Sequence, residues 1–231
     1  MRHSYRSVLL TIVAIACIVT MFALGFWQLE RKAQKEQRIL QIEQRQDANP
    51  LRLEDVVKAP ASHLDFTLSL SGLALNKLFY IDNKLYEGRT GYHLIQILKT
   101  NTGNVAVNLG WVAGESTKRI LPVVDVMEGH VDVSGVIAMP SNNIFVTETN
   151  TAYGEFPVRL QQLDIALMEK FLGEDVLPFV VLANAEAASP FIREWQPVVM
   201  PPEKHLGYAI QWFGLGIAGL SVFIVALTKQ K

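Results

Sequence analysis

Near the C-terminal end of the chain, His205, Tyr208 and Trp212 follow one another at intervals of three and four. On an α-helix of about 3.6 residues per turn that spacing gathers them on one face, with Ala209 and Gly216 beside them. An imidazole nitrogen can ligate a metal, aromatic rings can pack on a flat macrocycle, and a glycine leaves room for one. Lys204, just before them, stands where it could pair with a carboxylate of such a ligand at the water side. The same residues have a plainer reading, in which His205 caps an apolar helix at a membrane surface and Tyr208 and Trp212 form an aromatic belt. Residue type and spacing leave both open. A second group, Trp27, Gln28, Arg31 and Lys35, lies near the N-terminus. Trp27, Arg31 and Lys35 are four apart and share a helical face, the aromatic suited to the headgroup level and the cations to the water just beyond. That face is either an anchor or a docking surface.

Other chemistry is hard to find. The chain has no Gly-x-Ser-x-Gly elbow, no His-Glu-x-x-His and no phosphate loop ending in Gly-Lys-Ser/Thr. His63, His93 and His130 are scattered among strand-like runs without carboxylate or Cys partners at ligand spacing, as surface or half-buried histidines would be. The single cysteine, Cys17, excludes an internal disulfide framework, a thiolate zinc cage and an iron–sulfur cluster. The expectation is a protein that is not an enzyme.

The elements that must position these residues are set by charge. Of 231 residues, half are apolar and 19% charged, with 21 Lys+Arg against 22 Asp+Glu. Between Arg6 and Glu30 run 23 residues without a charge, and another 23 separate His205 from Lys229. A bilayer core needs roughly 20 apolar residues as helix, so both ends read as spans. The expected organisation is a cytoplasmic stub 1–7, a first span 8–28, a domain 29–204, a second span 205–227 and a cytoplasmic end 228–231. The first span is too long, and too poor in a small-residue cleavage site, to read as a cleaved signal peptide. It begins at once, without an Arg/Ser-rich transit segment, which favours a bacterial protein. All 22 acidic residues fall between the spans with 17 of the 21 Lys+Arg, a net charge of −5 that makes nucleic acid a poor partner.

Helix-forming residues carry the first helix on to about residue 48, where Asn49-Pro50 ends it. The period then falls to two. Phe66–Leu75, Leu78–Leu85, Tyr92–Lys99, Val105–Val112, Val131–Ala138, Ile144–Thr147 and Pro178–Ala183 read as strands, with hairpin turns at 87–91 and 100–104. A helix is expected over Asp164–Leu172, with Asp164 as N-cap and Gly173 as its stop. Pro197, Pro201 and Pro202 form a stiff approach to the second span. The fold class is an integral membrane protein, two transmembrane α-helices flanking an α+β domain rich in antiparallel strands, in the manner of a partly closed barrel. The second span holds Gly207, Gly214, Gly216 and Gly219 with Gln211 and Ser221, small residues that admit another helix or a flat ligand. A two-span sensor shares this layout, but the stretches outside the spans are too short for an output domain.

Gly25-Phe26-Trp27-Gln28 with Arg31 and Lys35, Gly91-Tyr92-His93, Asn108-Leu109-Gly110-Trp111-Val112 and His205-Leu206-Gly207-Tyr208-Ala209-Ile210-Gln211-Trp212-Phe213 together resemble the surfeit locus protein 1 family. Leu109 departs from the family's usual Asn-Arg-Gly-Trp, and Ile97 stands where a Pro commonly follows the Gly-Tyr motif. The resemblance implies an assembly factor for cytochrome c oxidase that assists insertion of haem a into the catalytic subunit. It implies haem a, transiently bound, as cofactor, with His205 as metal ligand and Tyr208 and Trp212 as cofactor-binding residues. It makes the oxidase catalytic subunit and the haem a synthesis enzyme partners, and Trp27, Gln28, Arg31 and Lys35 an interaction face. It places the chain in a bacterial inner membrane with its domain in the periplasm. A scaffold that contacts oxidase subunits without haem is the alternative within the family.

Overall fold

The computed structural model describes residues 2–115, 120–140, 143, 145–148, 155–185, 189–196 and 198–229. The chain divides into two compact units, residues 1–41 with 196–231, and residues 42–195.

The first unit is a pair of long helices. Helix α1, Arg2–Gln46, contains no proline and a single glycine, and it ends just ahead of Asn49-Pro50. Helix α4, Pro202–Lys229, starts at a proline, whose missing N–H costs nothing in a first turn. Both are long and apolar enough to cross a membrane. Their less exposed residues include a series spaced at three and four: Thr11, Ala14, Ile18, Met21, Gly25 and Gln28 on α1, and Pro202, His205, Ala209, Trp212, Gly216, Gly219 and Phe223 on α4, with Phe22, Leu24 and Phe213 beside it. A mean period near 3.5 is that of a supercoiled seam. The seam is antiparallel, with Ile18 nearest Gly219, Phe22 nearest Gly216 and Gly25 nearest Phe213. Gly207 and Gly214 have nothing within 4 Å of an added Cβ, so two of the four glycines expected to admit a neighbour face away from the seam. Thr20 and Ser221 return their hydroxyls to the carbonyls of Ala16 and Ile217, at 2.8 Å each, which pairs both within their own helices.

The second unit is built on one long strand. Phe66–Leu75 and Leu78–Leu85, expected as two strands, are one: β2, Thr67–Tyr86, bulged between Ala74 and Leu78 and again between Ile81 and Lys84. Bulges let a strand bend without ending, so the turn-like break read in the sequence is a kink. Around β2 lie β1 (Leu51–Arg52), β3 (Arg89–Lys99), β4 (Asn104–Ala113), β5 (Gly129–Ala138), β6 (Val158–Leu160) and β7 (Val176–Ala183). Pairings run β2–β3–β4–β7–β5 and back to β2, which closes a ring. The ring is mixed: β2–β3, β3–β4, β2–β5 and β5–β7 are antiparallel, but β4–β7 is parallel, as are β1 and β6 against β2. The parallel pairs arise because β7 and β6 follow long excursions instead of tight turns. A strand expected over Ile144–Thr147 does not form at its described positions: Phe145 is a turn and 88% exposed, leaving no face to bury. Ile144 and Pro197 lie outside the described residues.

Side chains alternate across the ring. One set, including Leu68, Tyr92, Leu94, Val107, Leu109, Val133 and Val181, fills one core. The other, including Phe79, Ile81, Ile95, Ile97 and Val180, faces the opposite way and is covered by Val158 and Leu160 of β6 and by Met168 and Phe171 of α3, Ile165–Leu172. Asp164 caps α3 through its Oδ1, which accepts from the Leu167 N–H at 3.1 Å. Gly173, at φ 73, closes it in the left-handed conformation that favours glycine. A four-residue helix α2, Leu53–Val56, buries Leu53 and Val56 against the first core.

Candidate functional site

His205 sits in the seam, 6% exposed. Its Nδ1 lies 2.7 Å from Oε1 of Gln28 on α1. An amide oxygen only accepts, so Nδ1 is the donor in this contact and Nε2 is the nitrogen left over. That Nε2 is shut away from solvent and has no hydrogen-bond partner. Buried polar nitrogens are nearly always paired, and an unpaired one needs a reason. A neutral ring with Nδ1–H engaged and Nε2 free is the state in which histidine binds a metal. A single imidazole so arranged is the residue that would hold a haem iron here.

The other expected residues are distributed around this pair. Trp212 is half-buried in the seam, whereas Tyr208 is 45% exposed and points out from it. Gly207, between His205 and Tyr208, adds no bulk. Lys204 is exposed one residue before the imidazole. On α1, Gln28 alone of the four residues named above contacts α4 through a side-chain hydrogen bond. Trp27 is 49% exposed with the Arg31 guanidinium 5.9 Å from its ring centre, and Arg31 donates to Gln34 Oε1 at 2.9 Å. Lys35 is half-buried one turn further on. The Trp27–Arg31 face is thus outward, and the α1 residues that meet α4 include Ile18, Phe22, Gly25, Phe26 and Gln28.

The second unit holds a cluster that sequence spacing alone did not assemble. Asn108–Val112 is part of β4, within the strand expected over Val105–Val112. Leu109 is the extra residue of a bulge opposite Leu94 and Ile95, and Gly110 takes φ 127 to make it. Asn108 Oδ1 accepts from the Gly110 N–H at 3.1 Å, and Arg193 Nε donates to the Leu109 carbonyl at 2.7 Å. The bulge turns Leu109, fully buried, into the core and leaves Asn108 beside His93, whose Nδ1 is 3.4 Å from Asn108 Nδ2. Trp195 meets the His93 ring edge-on at 5.6 Å, and Trp111, registered against His93, donates its indole N–H to the Lys84 carbonyl at 2.9 Å. Burial, and then the nearby Lys84 ammonium, hold the His93 pKa down at about 4, so this ring is neutral at physiological pH. His63 Nδ1 lies 2.9 Å from the Ala59 carbonyl oxygen, which can only accept, and His130 is exposed. Among the described residues no group of three His, Cys, Asp or Glu could hold a metal ion. The signal for the His93 cluster was its presence in two of the quoted motifs. Its geometry depends on a bulge that pattern reading does not see.

The chain matches the model of the SURF1 family over residues 15–217, a span that includes Gly25–Gln28, the β3–β4 motifs and His205–Trp212. It is 25% identical to a SURF1-like protein of Monosiga brevicollis, with 91% of this chain and 85% of the relative aligned. It is 22% identical to a SURF1-like protein of the bacterium Rickettsia felis, with 93% and 95% aligned.

Proposed function

The chain belongs to the SURF1 family, and from that premise we propose that it serves the assembly of haem–copper cytochrome c oxidase by holding haem a for the catalytic subunit at His205. The observation that carries this reading is the imidazole itself: buried, tied at Nδ1 and unpartnered at Nε2. In this reading Nε2 would give the iron its protein ligand and Trp212, half-buried in the seam, would pack beside the macrocycle, whereas Tyr208 faces away from that nitrogen. Lys204, exposed just before the apolar run, pairs with a propionate. Haem a is cargo here; it becomes a redox centre in the oxidase, and the carrier makes and breaks no covalent bond of the macrocycle. Both long helices cross a bacterial inner membrane, and residues 42–195 lie in the periplasm. There the catalytic subunit and the haem a synthesis enzyme are the partners.

The test is the absorption spectrum of the full chain purified from cells able to make haem a. Wild-type protein carries the haem, and His205→Ala inserts and folds but loses it or holds it far more weakly. An unchanged spectrum in that variant removes His205 as ligand. Deletion of the protein lowers assembled oxidase without lowering its transcripts or total haem. One observation favours a scaffold without haem, namely that Trp27 with Arg31 presents an outward aromatic–cation surface. Under that reading Trp27→Ala abolishes oxidase assembly at normal protein level, and purified wild-type protein is colourless.

A further inference from the structure

Resting on the reading of His205 as the haem's ligand, we propose that Gln28 is a positioning residue, which sets the imidazole tautomer and thereby presents Nε2 as a lone pair. Free histidine favours the opposite tautomer, with the proton on Nε2, so something must reverse the preference if Nε2 is to bind iron. The contact that does so comes from the other helix: Gln28 Oε1 lies 2.7 Å from His205 Nδ1. Turning the amide over would place its NH2 against Nδ1 and force the ring proton onto Nε2. Nε2 is closed to solvent and has no acceptor within hydrogen-bond distance. A buried N–H donor without a partner is among the least tolerated groups in a folded protein, less so than an unfilled lone pair. The arrangement with Oε1 facing Nδ1–H satisfies the one donor and leaves only an acceptor open.

Position supports the assignment as much as distance. Gln28 and His205 occupy seam positions of α1 and α4, at the end of the series Ile18–Gly219, Phe22–Gly216 and Gly25–Phe213. The backbones are held together along that series by packing alone, so the amide is delivered to the imidazole by helix pairing and does not have to be recruited. Metal-bound histidines commonly donate their second N–H to a fixed acceptor, which orients the ring and raises its basicity, and loss of that acceptor costs roughly 10–100-fold in metal affinity. Gln28 fills that role from a helix that offers no ligand of its own.

The experiment has two readouts on the full chain in detergent. Nitrogen-15 resonances of labelled histidine, recorded without haem, report the tautomer directly. Wild-type His205 shows a protonated Nδ1 and an unprotonated Nε2, and Gln28→Leu shifts the ring toward Nε2–H. Haem a titration is the second readout. Gln28→Leu binds roughly 10–100-fold more weakly, while Gln28→Glu, which keeps the length and the acceptor, retains affinity and moves the haem potential to more negative values. A cysteine pair at Ile18 and Gly219 cross-links in every variant, which shows that the helices remain paired. Wild-type His205 protonated at Nε2 overturns the proposal, as does Gln28→Leu with tautomer and affinity unchanged. Failure of the ligand reading looks different: His205→Ala then keeps its haem spectrum, whatever the tautomer of the wild-type ring.

Discussion

The ring of Phe213 occupies the space a side chain at Gly25 would need: a Cβ there would lie 2.5 Å from Phe213 Cε1. The same ring meets Phe26 edge-on with centroids 5.1 Å apart. Between two apolar helices a small residue opposite a large ring lets the backbones approach and the side chains interdigitate. Gly25→Leu is therefore expected to weaken the helix pair by about 1–3 kcal/mol, the usual cost of overpacking. Gly207→Leu, where nothing lies within 4 Å, is expected to be silent. The yield of an Ile18→Cys/Gly219→Cys cross-link separates the two.

Gln96 is fully buried and fully used. Its Nε2 donates to the carbonyls of Leu75 at 3.1 Å and Met127 at 2.9 Å, and its Oε1 accepts from the Met127 N–H at 3.2 Å. It stitches the β2 bulge to the extended segment before β5. Gln96→Leu fills the same volume but strands three backbone groups, at about 1–3 kcal/mol for each one left buried and unpaired. The expected loss exceeds 3 kcal/mol by denaturant titration, and a loss under 1 kcal/mol would mean that water replaces the amide.

Acid weakens the second unit through His93. Its pKa is about 4 in the folded chain against an ordinary 6.5. Between those values the unfolded chain binds the extra proton and the folded one does not, so stability falls as pH drops from 6.5 toward 4. Above 6.5 the group contributes no slope. The upper figure for the whole window is about 3 kcal/mol. His93→Gln flattens the unfolding profile over that window, and Lys84→Met raises the His93 pKa by removing a nearby positive charge. Proton NMR titration of the ring checks the second effect.

Orientation in the membrane can be read at the β3–β4 turn. Thr100 Oγ1 donates to the Gly103 carbonyl at 2.7 Å, closing a tight corner at a hairpin end. A reporter active only in the periplasm, inserted at Gly103, is expected to be active, and one fused to the C-terminus silent. The reverse pattern puts the domain in the cytoplasm.

What the sequence disclosed follows from how local each feature is. The two long apolar helices were legible because they rest on uninterrupted apolar runs. Asp164 and Gly173 were legible as the ends of α3 because capping is a matter of single residues. The closed ring of strands was only half legible: alternation finds strands but not partners, and β7 joins β4 in parallel across some 70 residues of chain. The site divides in the same way. His205, Tyr208 and Trp212 were visible as a helical face, but which of them faces α1 was not, because Tyr208 and His205 differ by a rotation that only the partner helix decides. Gln28 stood among the interaction residues beside Trp27, and only the structure separates the residue that meets the imidazole from the ring that faces away.

Ring closure also has a bearing on damaged copies of the protein. β2 reaches β5 on one side and β3 on the other, and β5 is tied back to β4 only through β7, Val176–Ala183. A chain that stops before residue 176 keeps β2, β3, β4 and β5 but opens the ring. The long, apolar edges of β4 and β5 are then bare, and a bare edge pairs with the next strand it meets. Such a truncated product still carries the first apolar helix and would still be inserted, so it accumulates where it can recruit other nascent chains. Late premature stops are therefore expected to do more harm than early ones.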